Sequence, residues 1–188
     1  MGVRSKNPNA IDADLAAWLH QQHVFFVATA PLATEGHVNC SPKGGDSFRV
    51  LGPSKVAYLD YTGSGAETAA HLRENGRIVL MFCAFDGKPN IVRLHGQGIA
   101  LTPGDPRYEE LDPHFPEELA TRSIVVVAVS RVSTSCGFAV PLMEFKAERE
   151  ALTKWAKAKG ADALAEYRRQ KNATSIDGLP AFEVTQPS

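Results

Sequence analysis

Apolar side chains recur at helical spacing near the start of the chain, where Ile11, Leu15, Trp18 and Leu19 share one face of a segment spanning 11–23. Asp12 and Asp14 fall in its first turn, where the helix dipole favours carboxylates. The pattern then changes to β-branched and aromatic runs. Residues 24–30 (VFFVATA) read as a strand, and 37–41 as a second, short one beyond a turn containing Pro and Gly. Strands at 48–51 and 55–61 follow, separated by Gly52-Pro53, a strong turn signal. A short helix comes next. Ser64 and Glu67 have the spacing of a capping box, Ala69, Ala70 and Leu72 give a narrow apolar face, and Gly76 suits the left-handed end.

The paired runs 77–84 and 90–101 predict a hairpin turning at Asp86-Gly87. Residues 123–135 (SIVVVAVSRVSTS) form another long strand, apolar on both faces near its start, which calls for burial on both sides of the sheet. From about Met143 to Asn172 the chain is predicted helical, with Phe145, Leu152 and Trp155 on one face and Gly160 dividing the segment in two. Residues 175–180 form an irregular extension. Six or seven strands in meander order with flanking helices predict a mainly β fold, a small antiparallel barrel.

Composition narrows the function classes. A chain of 188 residues, 44% hydrophobic and 22% charged, suits one soluble globular domain. A net charge of −1 argues against a nucleic-acid or anionic-membrane surface. Cys40, Cys83 and Cys136 lie far apart with no metal-ligand spacing, which fits a reducing compartment. The first residues carry no apolar signal core and no run approaches a membrane span, so the expectation is a cytoplasmic protein.

Several chemistries drop out. Gly63-Ser64-Gly65 lacks the spacing of a nucleophile elbow, Gly96-Gln97-Gly98 lacks the third glycine of a dinucleotide fingerprint, and there is no phosphate loop of the Walker type. His20 and His23 are three apart, but no third ligand accompanies them, so no metal is expected. Arg93, His95 and Gln97 share one strand face, which suits a ligand cleft, a subunit interface or a solvated sheet face equally. Cys136 beside Gly137 reads as a small buried residue, and Lys43 as a solvated turn residue. Ser64 and Glu67 read either as a helix cap or as part of an anion-binding helix start.

The ordered string FFVATA, Asn39-Cys40-Ser41-Pro42-Lys43-Gly44, Phe48-Arg49-Val50-Leu51, the run from Val56 to Gly63, and the hairpin strands RIVLMFCAF and NIVRLHGQG resembles the FMN-binding split barrel of pyridoxamine phosphate oxidase-like proteins. It is most similar to a branch carrying Ser-Pro-Lys-Gly and a later Ser-Cys-Gly-Phe, Ser135 to Phe138. The resemblance implies a split-barrel flavin domain over 1–142, including the first helix, and a helical extension over 143–188 packed on it. It also implies a homodimer holding FMN at the subunit interface. Carried over by position, Ser41, Pro42, Lys43 and Gly44 meet the ring or ribityl chain, and Tyr61, Thr62, Gly63, Ser64 and Thr68 line the phosphate end. Cys136 and Gly137 approach from the partner. Members of the family commonly place an Arg-Lys or Arg-Arg pair on the first turn of the short helix, where this chain has Ala66, Glu67 and Thr68. Lys43, Arg49, His71 or a partner residue is then left to supply the cation.

The reaction class the resemblance implies is a flavin-dependent oxidoreduction of a small molecule, with no amino-acid acid–base constellation required. A non-catalytic flavin- or haem-binding protein and a deazaflavin (F420) reductase share the same barrel. Pyridoxamine phosphate oxidation itself is disfavoured, because the family's basic, aromatic C-terminal segment is missing and Arg93-Leu94-His95 lies in the wrong strand to replace it.

Overall fold

The structure is a computed structural model describing residues 9–183, so the outermost parts of the two expected regions, 1–8 and 184–188, lie outside the described residues. Helix α1 (Ala13–His20) begins where Asp12 accepts a 2.9 Å hydrogen bond from the Leu15 N–H, and it buries Leu15 and Leu19. Four strands follow: β1 (Val24–Thr29), β2 (Asn39–Gly44), β3 (Phe48–Gly52) and β4 (Lys55–Tyr61). Helix α2 (Glu67–Glu74) separates them from β5 (Arg77–Cys83), β6 (Ile91–Leu101) and β7 (Thr121–Ser135). The order across the sheet is β2-β1-β5-β6-β7-β4-β3, antiparallel at every described pairing.

The sheet curls into a half-barrel whose two sides share one aromatic core. Phe25 of β1, Phe48 of β3, Tyr58 of β4 and Phe82 of β5 converge with ring centroids 5.0–5.6 Å apart, mostly tilted or edge-on, an arrangement that gains about 0.5–1.5 kcal/mol per pair beyond area burial. Leu15 and Leu19 close one end of this core. The β2–β3 connection fastens the seam: the Ser47 hydroxyl donates to the Gly44 carbonyl, and the Leu59 N–H to the Ser47 carbonyl. In the middle of the sheet β6 bulges at His95/Gly96, and there only glycine fits, since a Cβ on Gly96 would stand 2.1 Å from the Ala128 carbonyl oxygen.

One helix was absent from the sequence pattern. Asp105 caps α3 (Pro106–Leu111), with Pro106 in the first turn, and a short 3₁₀ turn over Asp112–His114 continues it. Tyr108, Leu111 and Phe115 cover Ile124, Leu59 and Ala57, forming a second core on the outer face of β4 and β7. The two-sided apolar character of β7 is thereby satisfied within one chain. It does not by itself require a partner.

The C-terminal region also departs from its pattern. The helix expected from Met143 starts only at Ala151, and α4 (Ala151–Lys171) turns sharply at Gly160, where φ is 74° and ψ 168°. Residues 143–150 are helix formers by composition, but a short helix is marginal without packing. Here Phe145 stacks on His23 at 3.6 Å and the Met143 N–H bonds the Phe85 carbonyl, holding the segment extended. Phe145 therefore does not share a face with Leu152 and Trp155, which pack instead with Tyr61, Ala120 and Leu164.

Candidate functional site

The approach to α2 is built differently from the capping box that the sequence predicts. Ser64 is exposed, the N-cap is Ala66 with no side-chain hydrogen bond, and Glu67 is the first helical residue. The cause lies in the tail. Asn172 donates to the Gly63 carbonyl at 2.9 Å and Arg122 to the Gly65 carbonyl at 2.8 Å, so 63–65 are held as a non-helical lead-in. Glu67 turns its carboxylate to the Ile176 N–H at 3.2 Å. Ala66, Ala69 and Ala70 pack against Ala181, Leu179 and Phe182. Gly76 ends the helix as expected, at φ 72°, with its N–H reaching the His71 and Leu72 carbonyls.

On the flank of α2 that faces β1 and β2, polar side chains form a chain. Ser41 donates to the Asn39 carbonyl oxygen at 3.1 Å, and the Asn39 amide donates to Thr68 at 2.9 Å. Thr29 bonds His71 Nδ1 at 2.9 Å, and Asn39 reaches Thr29 at 3.4 Å. His71 is fully buried, and its Nε2 has no hydrogen-bond partner among the described residues. Burial lowers its pKa, outweighing the pull of Asp177, Glu67 and Glu74, so the ring is held neutral.

Beside this chain sits a buried ionic trio. The Lys43 ammonium bonds one Asp60 oxygen at 2.8 Å, and Arg122 Nε the other at 2.8 Å; the three side chains are only 16%, 2% and 8% exposed. Burial alone would raise the Asp60 pKa, but Lys43 and Arg122 overcome it and hold the carboxyl below its ordinary value. Lys43 is thus a half-buried, ion-paired strand residue rather than a solvated turn residue. Next to the trio, the Thr62 hydroxyl donates to Ala120 at 2.8 Å and receives Arg168 Nε at 2.8 Å.

Of the expected site residues, Ser41 reaches Thr68 of α2 through Asn39, Lys43 pairs with Asp60, the Thr62 hydroxyl takes Arg168 and the Gly63 carbonyl takes Asn172, while Pro42 and Gly44 share the β2 strand and Ser64 is exposed. Tyr61 lies half-buried at the end of β4, and burial pushes its phenol up to about 12. Arg49 is elsewhere: it forms ion pairs with Asp46, donates to the His114 carbonyl at 2.7 Å and lies over the Phe115 ring. Cys136 is exposed rather than buried, and Gly137 packs at φ 66° against the Asn90 backbone at the far end of β6. Arg93 and His95 spend their polar ends on the Ser135 and Ser133 hydroxyls of β7.

Sequence reasoning missed Asn39, Asp60, Arg122, Arg168 and Asn172. The signal for two of them was present: Asp60 and Arg122 are charged residues at the ends of otherwise apolar strands.

A flavin phosphate requires N–H and hydroxyl donors with an excess of positive charge, and these residues fit that requirement by an unusual route. The Ala66 N-cap of α2 makes no side-chain cap bond, and Ser41, Asn39 and Thr68 carry hydroxyl and amide groups beside that turn. The trio keeps one net positive charge, so the cations come from β2 and β7 instead of α2.

Comparison with known proteins agrees with this architecture. The chain is 40% identical over 190 residues to the pyridoxamine 5'-phosphate oxidase family protein ustO of Aspergillus flavus, covering 92% of this chain and 76% of that one. Crystal structures of HupZ from Group A Streptococcus (TM-score 0.52, 18% identity, 71% of this chain and 99% of that) and of a candidate pyridoxamine 5'-phosphate oxidase from Lactobacillus delbrueckii (0.51, 19%, 68% and 97%) share the fold. The model of the pyridoxamine 5'-phosphate oxidase family matches residues 11–136, from the start of α1 to the end of β7. With barrel, strand order and relative in agreement, the chain belongs to the pyridoxamine 5'-phosphate oxidase family.

Proposed function

We propose that the protein binds FMN in the groove between β2 and the entry to α2, as a homodimer, and acts as a flavin-dependent oxidoreductase on a small molecule. When bound, the flavin supplies the electron-transfer chemistry. The protein's part is to seat and orient it. Ser41, Asn39 and Thr68 present hydroxyl and amide donors, and Lys43 and Arg122, sharing Asp60, set the charge. One observation carries the reading: Asn39, bonded to both Ser41 and Thr68, joins the strand β2 to the first turn of α2. Family membership supports the choice of flavin. Dimerisation is supported by the exposed apolar side chains Phe138, Leu142 and Met143, a patch of the kind that marks an interface.

Titration of FMN into the purified chain, followed by quenching of flavin fluorescence, tests the proposal. Saturable binding is expected, and Asn39→Ala should weaken it about ten-fold or more, the loss of one or two hydrogen bonds near charge. A folded protein that neither retains nor binds FMN removes the assignment. Light scattering that returns only the monomer mass at micromolar concentration removes the dimer.

A further inference from the structure

The other flank of α2 borders a second cleft of about 930 Å³, within the size range of small-molecule sites. Four arginines line it: Arg73 from α2, Arg122 from β7, and Arg168 and Arg169 from α4. Leu72, Ile99, Ala100 and Phe182 supply apolar wall. The lining carboxylates are Asp105, already bonded to Arg107, and Glu183, whose 3.8 Å contact with Arg73 is solvent-exposed. Arg169 pairs with Glu166 and Arg122 with Asp60, so the unbalanced positive charge of the cleft rests on Arg168.

Arg168 is the least balanced of the four. Its hydrogen bonds go to Thr62 Oγ1, the Leu119 carbonyl and the Thr121 carbonyl, all neutral, and no carboxylate pairs with it among the described residues. Arg122 is mostly buried nearby, stacked 5.2 Å over the Phe182 ring with one nitrogen on the Gly65 carbonyl. Burial, and then the Arg122 charge, both work against the Arg168 cation and lower its pKa. Arg168, held by neutral acceptors alone, and Arg122, whose one carboxylate partner Asp60 is shared with Lys43, line a cleft with an apolar wall and form an incomplete electrostatic arrangement. An oxyanion between them would complete it, since arginine forks match carboxylate and phosphate geometry.

We propose that this cleft is a binding site for a small organic anion, an apolar body carrying a carboxylate or phosphate, whose charged end is held by Arg168 and Arg122 with Arg73 and Arg169 beside it. The cleft lies on the other side of α2 from the β2 strand: Ser41, Lys43 and Thr68 are not among its walls, and Arg122 is the cation that the two share. It stands whether or not the flavin assignment does.

The test uses the full chain saturated with FMN, or the chain alone if it binds none. Isothermal titration compares phenyl phosphate, phenylacetate and the neutral 2-phenylethanol. At least one anion should bind saturably, at least ten-fold more tightly than the alcohol, and whichever anion is tighter identifies the charged end. The double substitution Arg73→Ala/Arg169→Ala removes an exposed arginine and a half-buried one whose ion pairs, with Glu183 and Glu166, lie at the surface, and should weaken the anion about ten-fold or more while leaving the melting temperature and FMN affinity in place. Arg168→Gln should abolish binding; where that variant is unstable, Arg168→Lys replaces it and should retain weakened binding. Equal affinity for the alcohol and both anions overturns the proposal, as does unchanged binding in the double variant. Competition between phenyl phosphate and FMN for one site also overturns it.

Discussion

The two flanks of α2 handle charge in opposite ways. Towards β1 and β2, a carboxylate fully out of water, Asp60, collects Lys43 and Arg122, and the neighbouring side chains Asn39, Thr29, Thr68 and Ser41 satisfy one another. Towards α4 and the tail, Arg168 has only hydroxyl and carbonyl oxygens for company. Both flanks are fixed in place by tertiary contact, but the first sets its cations against a carboxylate and leaves His71 Nε2 without a partner among the described residues, whereas the second leaves a whole cation with neutral acceptors. A cation matched by a buried carboxylate steadies the fold; one with neutral acceptors retains capacity for an anion.

Breaking the first flank should have the largest effect. Asp60→Asn leaves Lys43 and Arg122 buried without their counter-charge, and should cost about 3–5 kcal/mol in urea or guanidinium unfolding. The same carboxylate gives the wild type an acid limb. Because the folded pKa of Asp60 is depressed, its contribution is present above the unfolded value of about 3.9 and is lost as pH falls through the folded value. Asp60→Asn should therefore flatten the fall of stability below about pH 4. A variant as stable as wild type would show that the trio is not a structural anchor.

The second flank should respond less. Arg168→Ala frees Thr62, Leu119 and Thr121 from the tail helix but relieves repulsion with Arg122, so a loss of about 1–2 kcal/mol is expected, read from the denaturation midpoint. Proteolysis should detect the loosened tail before global unfolding does. If the loss equals that of Asp60→Asn, the contrast between the flanks fails.

The smallest effect belongs to His71, whose burial favours the neutral ring. A histidine with a depressed folded pKa costs stability on acidification: the unfolded chain takes up the proton from about pH 6.5 downward, while the folded chain resists until its own lower pKa is reached. Wild-type stability should fall over that window. His71→Gln should remove this share of the slope while keeping a hydrogen-bonding group for Thr29, and a slope unchanged in the variant would mean that His71 is already protonated or titrates normally.

How much of this was legible in the sequence varies by element. The strands and the β5–β6 hairpin followed from local pattern, because alternation and turn chemistry act over a few residues. Helix α3 could have been read from Asp105-Pro106 and the Tyr108, Leu111, Phe115 spacing, a cap and a face in eleven residues. Residues 143–150 could not, since their helix propensity loses to the Phe145–His23 stack and the Met143–Phe85 bond, both made with distant parts of the chain. The capping box failed for the same reason: Ser64 and Glu67 have the spacing, but Arg122, Asn172 and Ile176 hold the carbonyls and the carboxylate that would have formed it.

By itself, then, the sequence determined the barrel, its strand content, its family and the identity of the β2 motif, all properties encoded in short-range pattern and ordered motifs. Only the tertiary structure decided which charges meet. Lys43, Asp60 and Arg122 sit on three different strands, and Arg168 on a helix beyond them all, so their pairing depends on how the sheet curls and where the tail docks. Electrostatic partnership is set by distance and burial in space, and neither is written in the spacing of residues along the chain.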